Sequence, residues 1–212
     1  MTSPHITSVY GSAEAEYTIK KSRFLAHLKE VSSEEEASAF IEARRKEFWD
    51  ARHNCYAYQI GPGGAIQKSS DDGEPSGTAG RPMLEVLKKS GITNTVVVVT
   101  RYFGGIKLGA SGLIRAYSHS VSLGLAAASI ADYLPYQVVN VSVPYSFVST
   151  IERLAPAYAI RIADRNFAAD VTFTLEIPEE QTDTAIQAIT NATNGIAVCT
   201  AEKTRVIPVV RT

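Results

Sequence analysis

A glycine-rich segment from Arg101 to Arg115 holds the residue types best suited to binding chemistry. It contains three basic residues, no acidic residue and four glycines. The segment follows the apolar run Val96–Val99 and precedes apolar positions at helical intervals, so it should lead into the N terminus of a helix. Free N–H groups and the positive end of the helix dipole favour an anion there, and glycine allows close approach to the backbone. We therefore expect a phosphate at this loop, although a tight strand-to-helix turn would need the same glycines.

The expected site combines cations and backbone N–H groups with aromatic rings. Cations neutralise phosphates while an exposed ring stacks on a base, which is how many proteins hold nucleic acids. Between Arg52 and Arg115 there are eight basic and four acidic residues. The spacing matches neither GxxxxGK[ST] nor GxGxxG, so no nucleotide P-loop is predicted. The predicted anion and nucleic-acid site is Arg101, Tyr102, Phe103, Gly104, Gly105, Lys107, Gly109 and Arg115, supported by Arg52, His53, Asp71, Asp72 and Glu74.

Two other groups of residues have weaker chemical patterns. The acidic loop Asp71–Glu74 offers three carboxylates, which suit magnesium or calcium but equally suit a helix cap or pairing with nearby arginines. His53 and Cys55 would share one strand face, but a catalytic pair also needs an orienting group and an oxyanion hole. No G-x-S-x-G or H-E-x-x-H motif occurs. We predict no catalytic residue, no metal and no cofactor.

Composition excludes several classes of protein. The 212 residues are 45% hydrophobic and 20% charged, with a net charge of -1, which argues against a disordered chain and against a polycation. Cys55 and Cys199 have no CxxC companion, so neither a disulfide scaffold nor a zinc site is predicted. The amino terminus lacks a signal-peptide pattern, and the weakly polar run Leu123–Ala131 is too short to span a bilayer. We expect a cytoplasmic protein.

The length and the charge distribution favour two domains. Residues 1–131 carry a net charge of +2 and residues 132–212 a net charge of -3. The first part begins with an alternating stretch, Ala15–Lys29, and a four-turn helix that starts with a capping box at Ser32–Glu36. A strand through Cys55 to Ile60, a helix at Arg81–Lys89 and a central strand at Val96–Val99 follow. In the second part we predict, in order, strand Tyr136–Val143, helix Ser146–Ala155, strands Ala159–Asn166 and Asp170–Ile177, helix Glu179–Asn191 and strand Ile196–Lys203.

Four ordered blocks of the sequence resemble the signature blocks of the IMPACT family, in its bacterial YigZ branch. They are Ile19–Phe24, Ala51–Cys55, Ser70–Met83 and Arg101–Leu113. The resemblance implies an α+β protein with an amino-terminal α/β domain, of the kind seen in the second domain of a small-subunit ribosomal protein. The following βαββαβ domain should be ferredoxin-like and similar to the last domain of elongation factor G. Eukaryotic members regulate translation through the activator of an initiation-factor kinase, and the family implies no established enzymatic activity.

Together with this resemblance, the patterns predict a non-catalytic cytoplasmic protein that binds RNA or a ribosome-associated surface and modulates translation. The acidic carboxy-terminal domain is expected to contact protein. Two alternatives stay open at this point. One is an enzyme acting on a phosphorylated small molecule or nucleotide, because Gly109–Gly112 faintly resembles the loop of GHMP-type kinases. The other is a protein-binding adaptor.

Overall fold

The computed structural model describes residues 6–211 and contains both strands and helices throughout. The strands are β1 (Ile6–Val9), β2 (Ser12–Ile19), β3 (Ser22–Glu30), β4 (His53–Ile60), β5 (Ile66–Ser70), β6 (Thr95–Tyr102), β7 (Ile130–Val143), β8 (Arg161–Phe167), β9 (Val171–Pro178) and β10 (Val198–Val210). The α-helices are α1 (Glu34–Glu47), α2 (Gly80–Ser90), α3 (Ala110–Ala127), α4 (Val148–Leu154) and α5 (Thr182–Ala192). None of the helices in this range is long and apolar enough to cross a membrane.

The chain divides into two compact units, and the predicted two-domain α+β class is confirmed. The first unit runs to Tyr133 and takes in the chain again from Pro208, while the second comprises Leu134–Ile207. The sequence division after Ala131 placed the last residues of the chain in the second domain. In the structure the N–H of Arg211 donates to the carbonyl of Ile130 at 2.8 Å, and its guanidinium pairs with Asp132 at 2.7 Å. These contacts hold the end of the chain in the first unit.

The first unit is built on a five-stranded antiparallel sheet in the order β2-β3-β6-β4-β5. Its central strand is β6, as the continuous valine run predicts, because both faces of that strand are covered. Val97 and Val99 pack into the core with α2 and α3. Val96 and Val98 pack on the opposite side, into a smaller core that includes Ile41 of α1.

Helix α1 begins as its sequence predicts. The Oγ of Ser33 accepts from the N–H of Glu36 at 3.3 Å, and the Glu36 carboxylate accepts from the N–H of Ser32 at 2.7 Å. These contacts satisfy two N–H groups at the start of the helix. Three glutamates lie in its first turn, and Arg44, Arg45 and Lys46 lie in its last turn, where they complement the dipole.

Two local features of the first unit differ from the sequence expectation. The alternating stretch Ala15–Lys29 is a hairpin, because Lys20 and Lys21 form a turn between β2 and β3. The residues before the acidic loop form an additional edge strand, β5, which pairs with β4. Its side chains are mostly exposed, so no apolar pattern marks it in the sequence.

The second unit has the predicted βαββαβ order of elements. Its strands lie in the order β10-β7-β9-β8, and α4 and α5 supply helical residues to the core, among them Ile151 and Ile189. Phe173 and Leu175 of β9 are fully buried in the same core. The first and last strands are longer than predicted: β7 begins at Ile130, and β10 runs from Val198 to Val210. The outer ends of both strands, residues 130–133 of β7 and 208–210 of β10, belong to the first unit.

Candidate nucleic-acid interface

The glycine segment between β6 and α3 forms one wall of an open pocket of about 400 Å³. Helix α3 begins at Ala110 after Gly109, and among residues 6–211 no side chain accepts a hydrogen bond from its first N–H groups. Gly109 has a φ of 74°, which a glycine adopts without the steric cost that other residues have. The pocket is lined by Arg52, His53, Glu74, Pro75, Arg101, Phe103, Lys107, Leu108, Gly109, Ala110 and Leu113. Residues from three separate sequence blocks therefore meet around the start of this helix.

Seven of the predicted site residues line this pocket, and six do not. Those that do are Arg52, His53, Glu74, Arg101, Phe103, Lys107 and Gly109. Tyr102, Gly104, Gly105, Arg115, Asp71 and Asp72 are not among the lining residues. Of these six, Arg115 lies on the exposed surface of α3.

Two of the lining cations are free. The side chains of Arg52 and Lys107 are exposed, and neither makes a hydrogen bond or ion pair with any residue in the range 6–211. Their charges are available to an anion at the helix start. The dipole of α3 and these two side chains act in the same direction.

Arg101 differs from the free cation that the sequence suggested, because its charge is already compensated. The residue is only 7% exposed, and its Nη1 donates to Oε1 of Glu74 at 2.7 Å. The guanidinium lies between the rings of Phe24 and Phe103, with Cζ at 5.5 and 5.6 Å from the ring centroids. Its buried Nε has no hydrogen-bond partner among the described residues. Arg101 thus packs against the Phe103 ring and does not present a free charge to the pocket.

A buried polar network continues behind this ion pair. The hydroxyl of Tyr117 donates to Oε1 of Glu74 at 2.8 Å, and Sγ of Cys55 lies 3.3 Å from the same hydroxyl. Burial raises the pKa of both Tyr117 and Cys55, so both stay protonated at neutral pH. His53 contacts the carbonyl of Asp72 through Nδ1 at 2.9 Å. The thiol therefore has the environment of a buried structural cysteine and not that of an activated nucleophile.

The acidic loop has a structural role for each of its carboxylates. Asp71 accepts from the N–H groups of Gly77, Ala79 and Gly80 at 2.8 to 2.9 Å, which caps the start of α2. Burial raises the pKa of Asp71, but these three donors outweigh it and hold the pKa below its ordinary value. Asp72 accepts from Arg45 at 2.9 Å and from the N–H of Asn54 at 2.7 Å. Within residues 6–211, no cluster of three or more His, Cys, Asp or Glu side chains is placed to hold a metal ion.

Phe103 is the predicted stacking ring that the structure leaves available. It is 54% exposed at the mouth of the pocket. Tyr102 points elsewhere, because its hydroxyl donates to Asp50 at 2.8 Å. The neighbouring Trp49, which is 81% exposed, was not singled out by the sequence. A lone tryptophan after a helix has no pattern that separates an exposed ring from a core ring.

The sequence also gave no indication that the β2–β3 turn lies beside the glycine segment. The N–H of Gly104 donates to Oγ of Ser22 at 3.1 Å. A Cβ on Gly104 would stand 2.0 Å from the carbonyl carbon of Lys21, so only glycine permits this approach. The contact brings together residues 82 positions apart, and no spacing rule relates them.

A larger cleft of about 970 Å³ lies on the α1 side of the sheet, and no predicted site residue lines it. His27 is buried there, with Nδ1 at 3.0 Å from Glu14 and its ring 4.9 Å from that of Phe48. Three glutamates share the cleft with His27, Lys29 and Arg44. Its mixed charge contrasts with the free cations at the glycine segment.

Comparisons with known proteins agree with the sequence blocks. A family model described as the Impact N-terminal domain matches residues 20–125, and a domain of unknown function, DUF1949, matches residues 141–195. IMPACT family member YvyE of Bacillus subtilis is 45% identical over 89% of this chain and 87% of its own length. IMPACT family member YigZ of Escherichia coli is 38% identical over 76% of this chain and 79% of its own length. A solved structure titled "Crystal structure of an hypothetical protein" has a TM-score of 0.61 at 32% identity and covers 96% of this chain and 98% of its own.

Proposed function

The chain belongs to the IMPACT family, and from that premise we propose that it modulates translation by binding RNA at the pocket beside the glycine segment. The observation that carries the proposal is the convergence of two free cations, an uncapped helix start and an exposed ring around one opening. Arg52 and Lys107 supply the cations, and Phe103 supplies the ring. This combination suits a phosphate and an adjoining unpaired base.

Each part of the pocket has a defined role in this proposal. Phosphate oxygens accept from the first N–H groups of α3, while Arg52 and Lys107 neutralise the charge. Phe103 stacks on a base, and the Arg101 guanidinium beneath it makes the ring a fixed platform.

The connection to translation comes from the family resemblance, and the RNA from the chemistry of the pocket. The resemblance implies that eukaryotic members act in translational control, and an RNA-binding surface would let a small protein contact the translation machinery. The second unit is acidic, so it would repel a nucleic-acid backbone. We therefore assign RNA to the first unit and a protein contact to the second. The cytoplasm is the expected location for both.

The salt dependence of RNA affinity tests this proposal. We expect the wild-type chain to bind a labelled eight-nucleotide single-stranded RNA with an affinity that falls steeply with salt. Lys107→Ala and Arg52→Ala should each make the slope of log affinity against log salt shallower by about 0.7. Lys203→Ala, which removes an exposed charge from the second unit, is the matched control and should leave the slope unchanged.

Two results would contradict the proposal. One is a wild-type affinity that does not respond to salt, and the other is a slope that neither pocket variant alters. If the chain binds no RNA but is isolated from cells with a stable protein partner, the adaptor alternative is favoured. If the chain turns over a nucleotide in the presence of magnesium, and Asp72→Asn abolishes that turnover, the enzyme alternative is favoured.

A further inference from the structure

The turn between β2 and β3 has an unusual backbone for its sequence. Ile19 pairs with Ser22, so the loop has two residues, and Lys20 and Lys21 have φ values of 46° and 64°. Two positive φ values are the pattern of a type I′ turn, where Asn-Gly is the preferred pair. Lysine has a steric cost in this region that glycine does not have. The chain therefore keeps two lysines where folding alone would favour other residues.

The turn also carries charge that no described residue compensates. Lys20 and Lys21 are exposed, and neither has a hydrogen-bond or ion-pair partner in the described part of the chain. The next basic residue, Arg23, is paired with Glu16 at 2.9 Å. Two adjacent lysine charges repel each other, and a bound anion would relieve that repulsion.

The position of the turn joins it to the pocket. Gly104 rests directly against the backbone of Lys21, and Lys107, which lines the pocket, is three residues further along the chain. Three residues span about 10 Å at most, so the backbone of Lys107 lies within about 10 Å of the glycine that contacts the turn. A single strand that carries several phosphates covers a span of that size.

We propose that the Lys20–Lys21 turn is a second phosphate subsite, so that the ligand is an RNA strand spanning the turn and the pocket, and not a mononucleotide. This inference rests on the proposed function, which supplies RNA as the ligand. One phosphate lies at the start of α3, and a neighbouring phosphate of the same strand lies between the two lysine side chains. A single strand fits because its backbone bends to follow the surface.

The sharpest test replaces the lysines with the pair that this turn prefers. Lys20→Asn combined with Lys21→Gly removes both charges and keeps the backbone geometry, so the Tm should not fall. We expect the salt slope for the eight-nucleotide RNA to become shallower by about 1.4, because two contacts are lost. Binding of uridine monophosphate, which reaches only the pocket, should be unchanged. Lys20→Arg with Lys21→Arg is the control that keeps the charge and should keep the slope.

The outcomes separate this inference from the proposed function. If Lys107→Ala lowers the slope and the Asn-Gly variant does not, the second subsite is wrong and the RNA site stands. If the Asn-Gly variant weakens uridine monophosphate as much as the longer RNA, the turn does not form a separate subsite. If the wild-type chain binds no RNA at all, both ideas fail.

Discussion

Arg101 shows how one residue can belong to a binding site without offering its charge. Its guanidinium is held by Glu74, and Glu74 is held in turn by the hydroxyl of Tyr117. A buried ion pair of this kind adds little stability over apolar residues, but removing one partner leaves a charge without compensation. The pair therefore belongs to the floor of the pocket, while the exposed Arg52 and Lys107 are the cations assigned to the proposed ligand.

Replacing Glu74 with glutamine should be costly for this reason. Glu74→Gln keeps the shape and removes the negative charge, so the Arg101 guanidinium is left charged and buried. We expect a loss of about 3 to 5 kcal/mol in the free energy of unfolding, measured by urea titration. Glu85→Gln is the control, because Glu85 faces Lys88 across a half-exposed pair at 3.5 Å and should cost about 1 kcal/mol or less. Equal small losses would show that the buried pair does not hold the floor.

Many of these residues can be identified from the sequence, but whether their charges are free or paired cannot. Arg52, His53, Glu74, Phe103 and Lys107 were named from charge, aromaticity and loop position, and all five line the pocket. The pairing of Arg101 with a glutamate 27 positions earlier depends on how the acidic loop folds over the sheet. No local pattern in the sequence contains that information.

At the scale of elements, the site depends on two turns that meet. The glycine segment gives α3 its uncapped start, and the β2–β3 turn lies against Gly104. Strand β3 follows the lysine turn, and β6 precedes the glycine segment. The two strands are neighbours in the sheet and pair at Arg23↔Tyr102. The same strand pairing that builds the core thus brings the lysine turn to the glycine segment.

Gly104→Ala should disrupt this meeting point. The added methyl group would stand 2.0 Å from the carbonyl carbon of Lys21, and backbone cannot move aside as a side chain can. We expect a loss of about 1 to 3 kcal/mol in the free energy of unfolding, together with a lower RNA affinity. Gly124→Ala is the control: its methyl group would meet the side-chain end of Leu28 at 2.2 Å, and neither residue lines the pocket. It should lower stability and leave the RNA salt slope intact, and a similar loss of affinity in both variants would contradict the argument.

Elements with strong patterns were predictable, and those without them were not. The run of valines identified β6 because a strand covered on both faces must be apolar throughout. The alternating pattern does not reveal the hairpin at Lys20–Lys21, because neither lysine is a turn-forming residue type. Strand β5 could not be predicted from an apolar pattern, because an exposed edge strand needs no apolar side chains.

At the scale of the whole molecule, the net charge of the chain hides a difference in charge between the two units. The net charge of -1 combines a slightly basic amino-terminal part with an acidic carboxy-terminal part. The order of elements was sufficient to predict the βαββαβ unit. The exact extent of each unit was not, because β7 and β10 are longer than the strands that the sequence marks. Because of this division of charge, we propose that RNA binds to the first unit only.

Photo-crosslinking of the full chain to a thiouridine-containing eight-nucleotide RNA tests that claim most directly. Peptide mapping by mass spectrometry should place the crosslinks on Phe103 and the surrounding glycine segment. The yield should fall in Arg52→Ala and Lys107→Ala and stay unchanged in Lys203→Ala. Crosslinks confined to the second unit, or a yield that is the same in all four proteins, would contradict the account.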